Sequence, residues 1–148
     1  MRRLVLILTF IALKAHAQTD EAAVRMAVGK LFTGMKASDT ALIRSAFSAT
    51  PILQTVLRNK EGRTLVITEH LDSFLVSIAR PHTEPYDEQI TFDVVRVDGD
   101  LATVWAPYKF YLGQKFSHCG VDSFQLVKEN GIWKILYLVD TRRKQNCE

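Results

Sequence analysis

The chain predicts an α+β fold, with helices gathered toward the front and antiparallel strands at the back. Three observations carry this. Apolar residues recur at helical spacing between residues 24 and 35, 42 and 47, and 71 and 78. From residue 89 to 141 the pattern changes to a period of two, cut by turn residues. The resulting order, α-α-β-β-α-β-β-β-β, places three helices on one face of a curved, mainly antiparallel sheet.

The opening residues, MRRLVLILTFIALKAHAQ, set two arginines before an apolar run from Leu4 to Leu13 and finish it with Ala15-His16-Ala17. This is the pattern of a cleaved export signal over residues 1–17. The apolar run is about half of the roughly 20 residues that a spanning helix needs. The mature chain, 18–148, is expected to be a single soluble domain in the periplasm or outside the cell, with no membrane contact after cleavage.

Thr19 suits an N-cap, and Val24, Ala27, Val28, Leu31, Phe32 and Met35 then form one helical stripe. A shorter helix runs from Ser38 or Asp39 through Leu42, Ile43, Ala46 and Phe47 and stops at Thr50-Pro51. Ile52 to Leu57 and Arg63 to Ile67 read as a hairpin around Asn59-Lys60-Glu61-Gly62. Thr68 suits the cap of a third helix carrying Leu71, Phe74, Leu75 and Ile78, and Arg80-Pro81 ends it. Pro81 to Glu88 reads as a loop.

Four strands complete the chain: Gln89–Val97, Leu101–Leu112, Phe116–Val127 and Ile132–Thr141. Asp98-Gly99-Asp100 supplies one turn and Lys128-Glu129-Asn130-Gly131 another. On the last strand, Leu136 and Leu138 share parity with Lys134 and oppose Trp133, Ile135, Tyr137 and Val139. Both faces are therefore apolar. Either the outer face, with Trp105 and Tyr111, carries a self-association patch that makes a homodimer, or a bulge swaps the faces.

Charge excludes one class of partner. Lys and Arg total 19 against 16 Asp and Glu, but Arg2, Arg3 and Lys14 belong to the export signal. The mature chain is close to neutral, and nucleic-acid binding is not expected. Its two cysteines, Cys119 and Cys147, are read as a disulfide in an exported protein. The alternative is a free nucleophilic Cys119 beside His118, which strand alternation disfavours by sending neighbours to opposite faces.

The candidate site follows from the same alternation. Phe116, His118, Gly120, Asp122, Phe124 and Leu126 share one face, and Phe124 and Leu126 mark it as the inner one. Val104, Ala106, Tyr108 and Phe110 are the inner residues of the preceding strand. Tyr108, His118 and Asp122 are thus the pocket candidates. Asp122 would act as a base and Tyr108 or His118 as proton donor if the pocket were catalytic. His118 and Asp122 lie about 13 Å apart along an extended strand, which suits opposite ends of one ligand better than a bonded dyad. In the purely structural alternative, Asp122 pairs with a tail arginine such as Arg142. The histidines have no metal-ligand spacing, so no metal and no cofactor are expected.

Asp122-Ser123-Phe124-Gln125-Leu126-Val127, a short Gly turn and Gly131-Ile132-Trp133-Lys134-Ile135 resemble the nuclear transport factor 2-like superfamily, and within it the exported lumazine-binding and SnoaL-like groups. Phe116-Ser-His-Cys-Gly and Asp140-Thr-Arg-Arg add to the likeness. The resemblance implies a cystatin-like cone whose helices close over a concave sheet and leave a pocket. Its relatives include isomerases, dehydratases, cyclases, ligand binders and dimerisation modules, and fold does not choose among them. The leading expectation is an exported binder of a small hydrophobic or aromatic molecule. A cofactor-free isomerase, dehydratase or cyclase and a ligand-free dimerising module are the alternatives.

Overall fold

The computed structural model describes residues 2–147, with side chains from Asp20 onward. The expected export signal at residues 1–17 lies outside the part whose side chains are described. Three helices, α1 (Arg2–Ala37), α2 (Thr40–Ala46) and α3 (Leu71–Ala79), cover one face of a seven-stranded sheet. The strands are β1 (Phe47–Arg58), β2 (Thr64–Glu69), β3 (Tyr86–Ile90), β4 (Val94–Asp98), β5 (Leu101–Leu112), β6 (Lys115–Glu129) and β7 (Ile132–Thr141). Their order is β2-β1-β7-β6-β5-β3, with β4 also on β5, and the β1–β7 pair is parallel while the rest are antiparallel. Among the described residues no helix is long and apolar enough to cross a membrane.

The α1 stripe is buried as its spacing requires, from Val24 to Met35. It meets Ala102, Val104, Phe124, Leu126, Trp133 and Ile135 of the sheet in a single core. Asp20 fixes the near end of this layer, accepting from Lys128 Nζ at 2.6 Å and from Trp133 Nε1 at 3.2 Å. The Lys128 contact joins α1 to the β6–β7 hairpin, whose two-residue turn holds Asn130 and Gly131 at φ 51° and 80°. That geometry favours these two residue types.

Four local expectations are corrected. Phe47 opens β1 instead of ending α2, because Asp39 caps that helix through Leu42 N and the chain turns extended at Phe47. Thr68 belongs to β2, and α3 starts at Leu71 without a side-chain cap. The loop expected to reach Glu88 ends earlier, since Tyr86–Ile90 pairs with β5. The single strand expected from Gln89 is split into β3 and β4 opposite Pro107, which has no N–H to offer a partner.

Two bulges decide which side chains face inward. Tyr111 pairs with Phe116 and Phe110 with His118, so Ser117 is the extra residue and Phe116 leaves the inner face. Leu126 pairs with Ile135 and Gln125 with Tyr137, so Leu136 is extra on β7. Past it, parity reverses. Leu138, Asp140 and Arg142 turn to the cavity side, and the outer face loses Leu138 from its proposed patch.

Candidate functional site

The concave face of the sheet and the helices enclose a narrow cavity of about 80 Å³. Leu31, Phe32 and Met35 of α1, Phe74 of α3 and Leu138 of β7 form its apolar wall. Tyr108, His118 and Asp122 all line it, so alternation brought the three predicted residues to one space. Glu88 and Asp140, which no sequence signal pointed inward, join them, as does Arg142, expected there only as a partner of Asp122.

Asp122 is the centre of the polar end. It pairs across strands with Ala106 on one side and Asp140 on the other, and its side chain is buried. Glu88 arrives from β3, opposite Phe110 and therefore on the same face. The Asp122 and Glu88 carboxyls are close enough to share a hydrogen bond. As a carboxylate, Asp122 would leave Oδ2 without a donor, whereas a proton held on it donates to Glu88.

The electrostatics agree. Desolvation, then the charges of Glu88 and Asp140, push the Asp122 carboxyl well above the ordinary carboxylate range. Desolvation raises Glu88 to about 7, against the opposing effects of its bond to Asp122 and of Arg142. Of the two, Asp122 holds its proton more tightly, and Glu88 titrates near neutrality.

Asp140 has a different environment, although it is also buried. Arg142 Nε donates to its Oδ2 at 2.8 Å and Thr55 Oγ1 to its Oδ1 at 2.5 Å. The arginine named as the alternative partner of Asp122 therefore serves Asp140, and among the described residues Asp122 has no ion pair. Tyr108 directs its hydroxyl to Thr141 O at 2.9 Å, with Asp140 Oδ2 at 3.3 Å. Desolvation and the neighbouring carboxylates raise its pKa, so it stays a neutral phenol. It is a poor proton donor to a ligand.

His118 is half-buried, edge-on to Tyr108 and tilted against Phe110, with Ser117 Oγ 3.0 Å from Nδ1. Desolvation and then Arg142 lower its pKa, which keeps the ring neutral at pH 7. Cys119 points the other way, as alternation required, and forms a disulfide with Cys147. Paired backbone bonds between Cys119 and Arg143 at 2.9 Å hold the tail beside β6. That tail carries Arg142 to the cavity.

Gly120 makes this arrangement possible. A Cβ there would stand 1.7 Å from Thr141 O and 2.7 Å from Tyr108 Cε1, so only hydrogen leaves room for both. Among the described residues no group of three His, Cys, Asp or Glu is set to hold a metal ion.

A helix-covered, strongly curved sheet with a cavity at its concave face defines a nuclear transport factor 2-like protein, the α+β cone also called cystatin-like. Within that class the chain belongs to the family described as "putative lumazine-binding", which it matches over residues 19–139. No curated protein matches it.

Solved structures agree in fold. A nuclear transport factor 2-like protein of unknown function from Shewanella baltica OS155 is 16% identical, with a TM-score of 0.68 over 86% of this chain and 96% of that one. A cystatin-like protein of unknown function from Nostoc punctiforme PCC 73102 is 12% identical, with a TM-score of 0.67 over 86% and 93%. The β subunit of a "putative aromatic-ring-hydroxylating dioxygenase" from Novosphingobium aromaticivorans DSM 12444 is 13% identical, with a TM-score of 0.70 over 87% and 92%.

Proposed function

We propose that this protein binds a small molecule in the cavity between α1, α3 and the concave sheet, as an exported single domain of residues 18–148. One observation carries the reading. A buried carboxyl, Asp122, faces an apolar-walled cavity with no ion-pair partner among the described residues, an arrangement that costs stability and that a filled core would not need. Tyr108 and His118 border the ligand, and Phe32 and Phe74 receive its apolar part. At about 80 Å³ the space is well below the roughly 300–1,000 Å³ of drug-sized pockets, so the ligand is compact or enters as side chains yield.

Export is supported by the leader-like first 17 residues and by the Cys119–Cys147 bond, which persists in oxidising compartments. A homodimer through the outer sheet face has the exposed Trp105 and Leu136 in its favour. The binding reading is tested by native mass spectrometry of protein purified from its own host, beside a Leu138→Trp variant with a filled cavity and a checked fold. A small-molecule adduct on the wild type that the variant lacks supports it. An adduct-free wild type, or equal adducts, defeats it.

The second reading is acid–base catalysis without a cofactor, as in an isomerase, dehydratase or cyclase. It is favoured by two cavity carboxyls whose pKa values lie above the usual range. In this reading Asp122 and Glu88 are the two groups that exchange the proton, and Asp122 as base with Tyr108 or His118 as donor is the other assignment it admits. Loss of turnover in Glu88→Gln with ligand affinity kept would support it.

A further inference from the structure

The charge inventory of the cavity is one-sided. Among the described residues Glu69, Glu88, Asp122 and Asp140 line it against one cation, Arg142. Arg142 and Asp140 form a closed pair, because the arginine, Thr55 and Tyr108 surround the carboxylate. Oδ2 of Asp122 has no hydrogen-bond partner among the described residues, and the Glu88 carboxyl lines the cavity beside it. His118 adds no charge, being neutral at pH 7.

We propose that the cavity selects a compact organic cation, an amidinium or a protonated amine, which seats its N–H groups on the Glu88 and Asp122 carboxyls. This rests on the binding reading above and names its ligand class. A planar amidinium matches two neighbouring carboxyls with two N–H donors, as an arginine fork matches a carboxylate. It gives Asp122 Oδ2 the donor that it has from no described residue, while its apolar part faces Phe32, Met35 and Phe74.

An anion would meet uncompensated negative charge at the deep end and would be left to Arg142, whose side chain is half exposed. Protons held on the two carboxyls in the free protein are released to solvent as the cation arrives, and the one on Glu88 makes binding tighten as pH rises through the range near 7. Asp140, Arg142, Tyr108, His118 and Glu69 are the other titratable groups facing the pair, and none of them supplies a competing free cation.

Benzamidinium, benzamide and benzoate test this, since they share one shape and differ in charge. Their dissociation constants are read by amide chemical-shift titration of the mature protein at pH 6 and pH 8. Benzamidinium is expected to bind at least tenfold more tightly than benzoate at pH 8 and at least threefold more tightly than at pH 6, with shifts at residues 88, 122 and 138. Glu88→Gln and Asp122→Asn, each with an intact spectrum, should lose most of that preference while benzamide binding is kept.

Benzoate binding best, or benzamide equalling benzamidinium, would overturn the inference and leave the pocket reading intact. Silence from all three would overturn the inference alone, because the native mass measurement carries the binding reading separately.

Discussion

Asp122 and Asp140 are direct cross-strand partners on β6 and β7, both buried, yet Arg142 pairs with Asp140 and leaves Asp122 to share a proton with Glu88. Two adjacent carboxylates cannot both be ionised cheaply at this depth. One is neutralised by an ion pair and the other by protonation.

The Glu88–Asp122 pair should make stability fall as pH rises. Both carboxyls bind a proton more tightly folded than unfolded, so the folded chain holds more protons between about pH 4.5 and 7, and unfolding free energy declines across that window. For Glu88 the effect is on the order of 2–3 kcal/mol. His118, with its lowered pKa, acts oppositely, adding stability as pH rises through its own titration. Urea denaturation at pH 5 and pH 8 should show a smaller loss in Glu88→Gln than in the wild type. Equal pH slopes would refute the assignment.

Asp122→Asn keeps a donor toward Glu88 and removes the cost of a buried acid. It should hold or raise stability at pH 8, within about 1 kcal/mol of the wild type or above it. A loss above about 3 kcal/mol would mean that Asp122 is a carboxylate with a structural partner.

Arg142→Ala leaves Asp140 with Thr55 and Tyr108 only, and should cost roughly 1–3 kcal/mol. It also removes the cation that holds down the pKa of Asp122 and Glu88. Carboxyl carbon shifts followed by NMR should then move the titration of that pair upward.

Gly120→Ala should destabilise by more than about 3 kcal/mol, because its methyl group would overlap the Thr141 carbonyl and the Tyr108 ring. Thermal unfolding reads this directly. A near-neutral result would mean that β6 and β7 lie further apart here.

Loss of the Cys119–Cys147 bond in Cys147→Ser should cost on the order of 3 kcal/mol for a closed loop of this length. The comparison belongs under oxidising conditions, with the wild type's intact mass rising by about two protons on reduction.

Much of the fold and half of the site are readable along the chain. The helical stripe from Val24 to Met35, the alternation of Ala102 to Tyr108 and of Gly120 to Leu126, and the outward Cys119 follow from periods of 3.6 and 2, which are properties of neighbouring residues. Those periods sent Tyr108, His118 and Asp122 to one face.

What the tertiary structure alone decided is the company they keep. Glu88 becomes a partner because β3 pairs with β5, and Asp140 and Arg142 turn inward because Leu136 is an extra residue against β6. A bulge is set by how two strands fit around a core, and no local period records it. The final polarity of the cavity, and which acid keeps its proton, were therefore settled by packing between residues far apart in sequence.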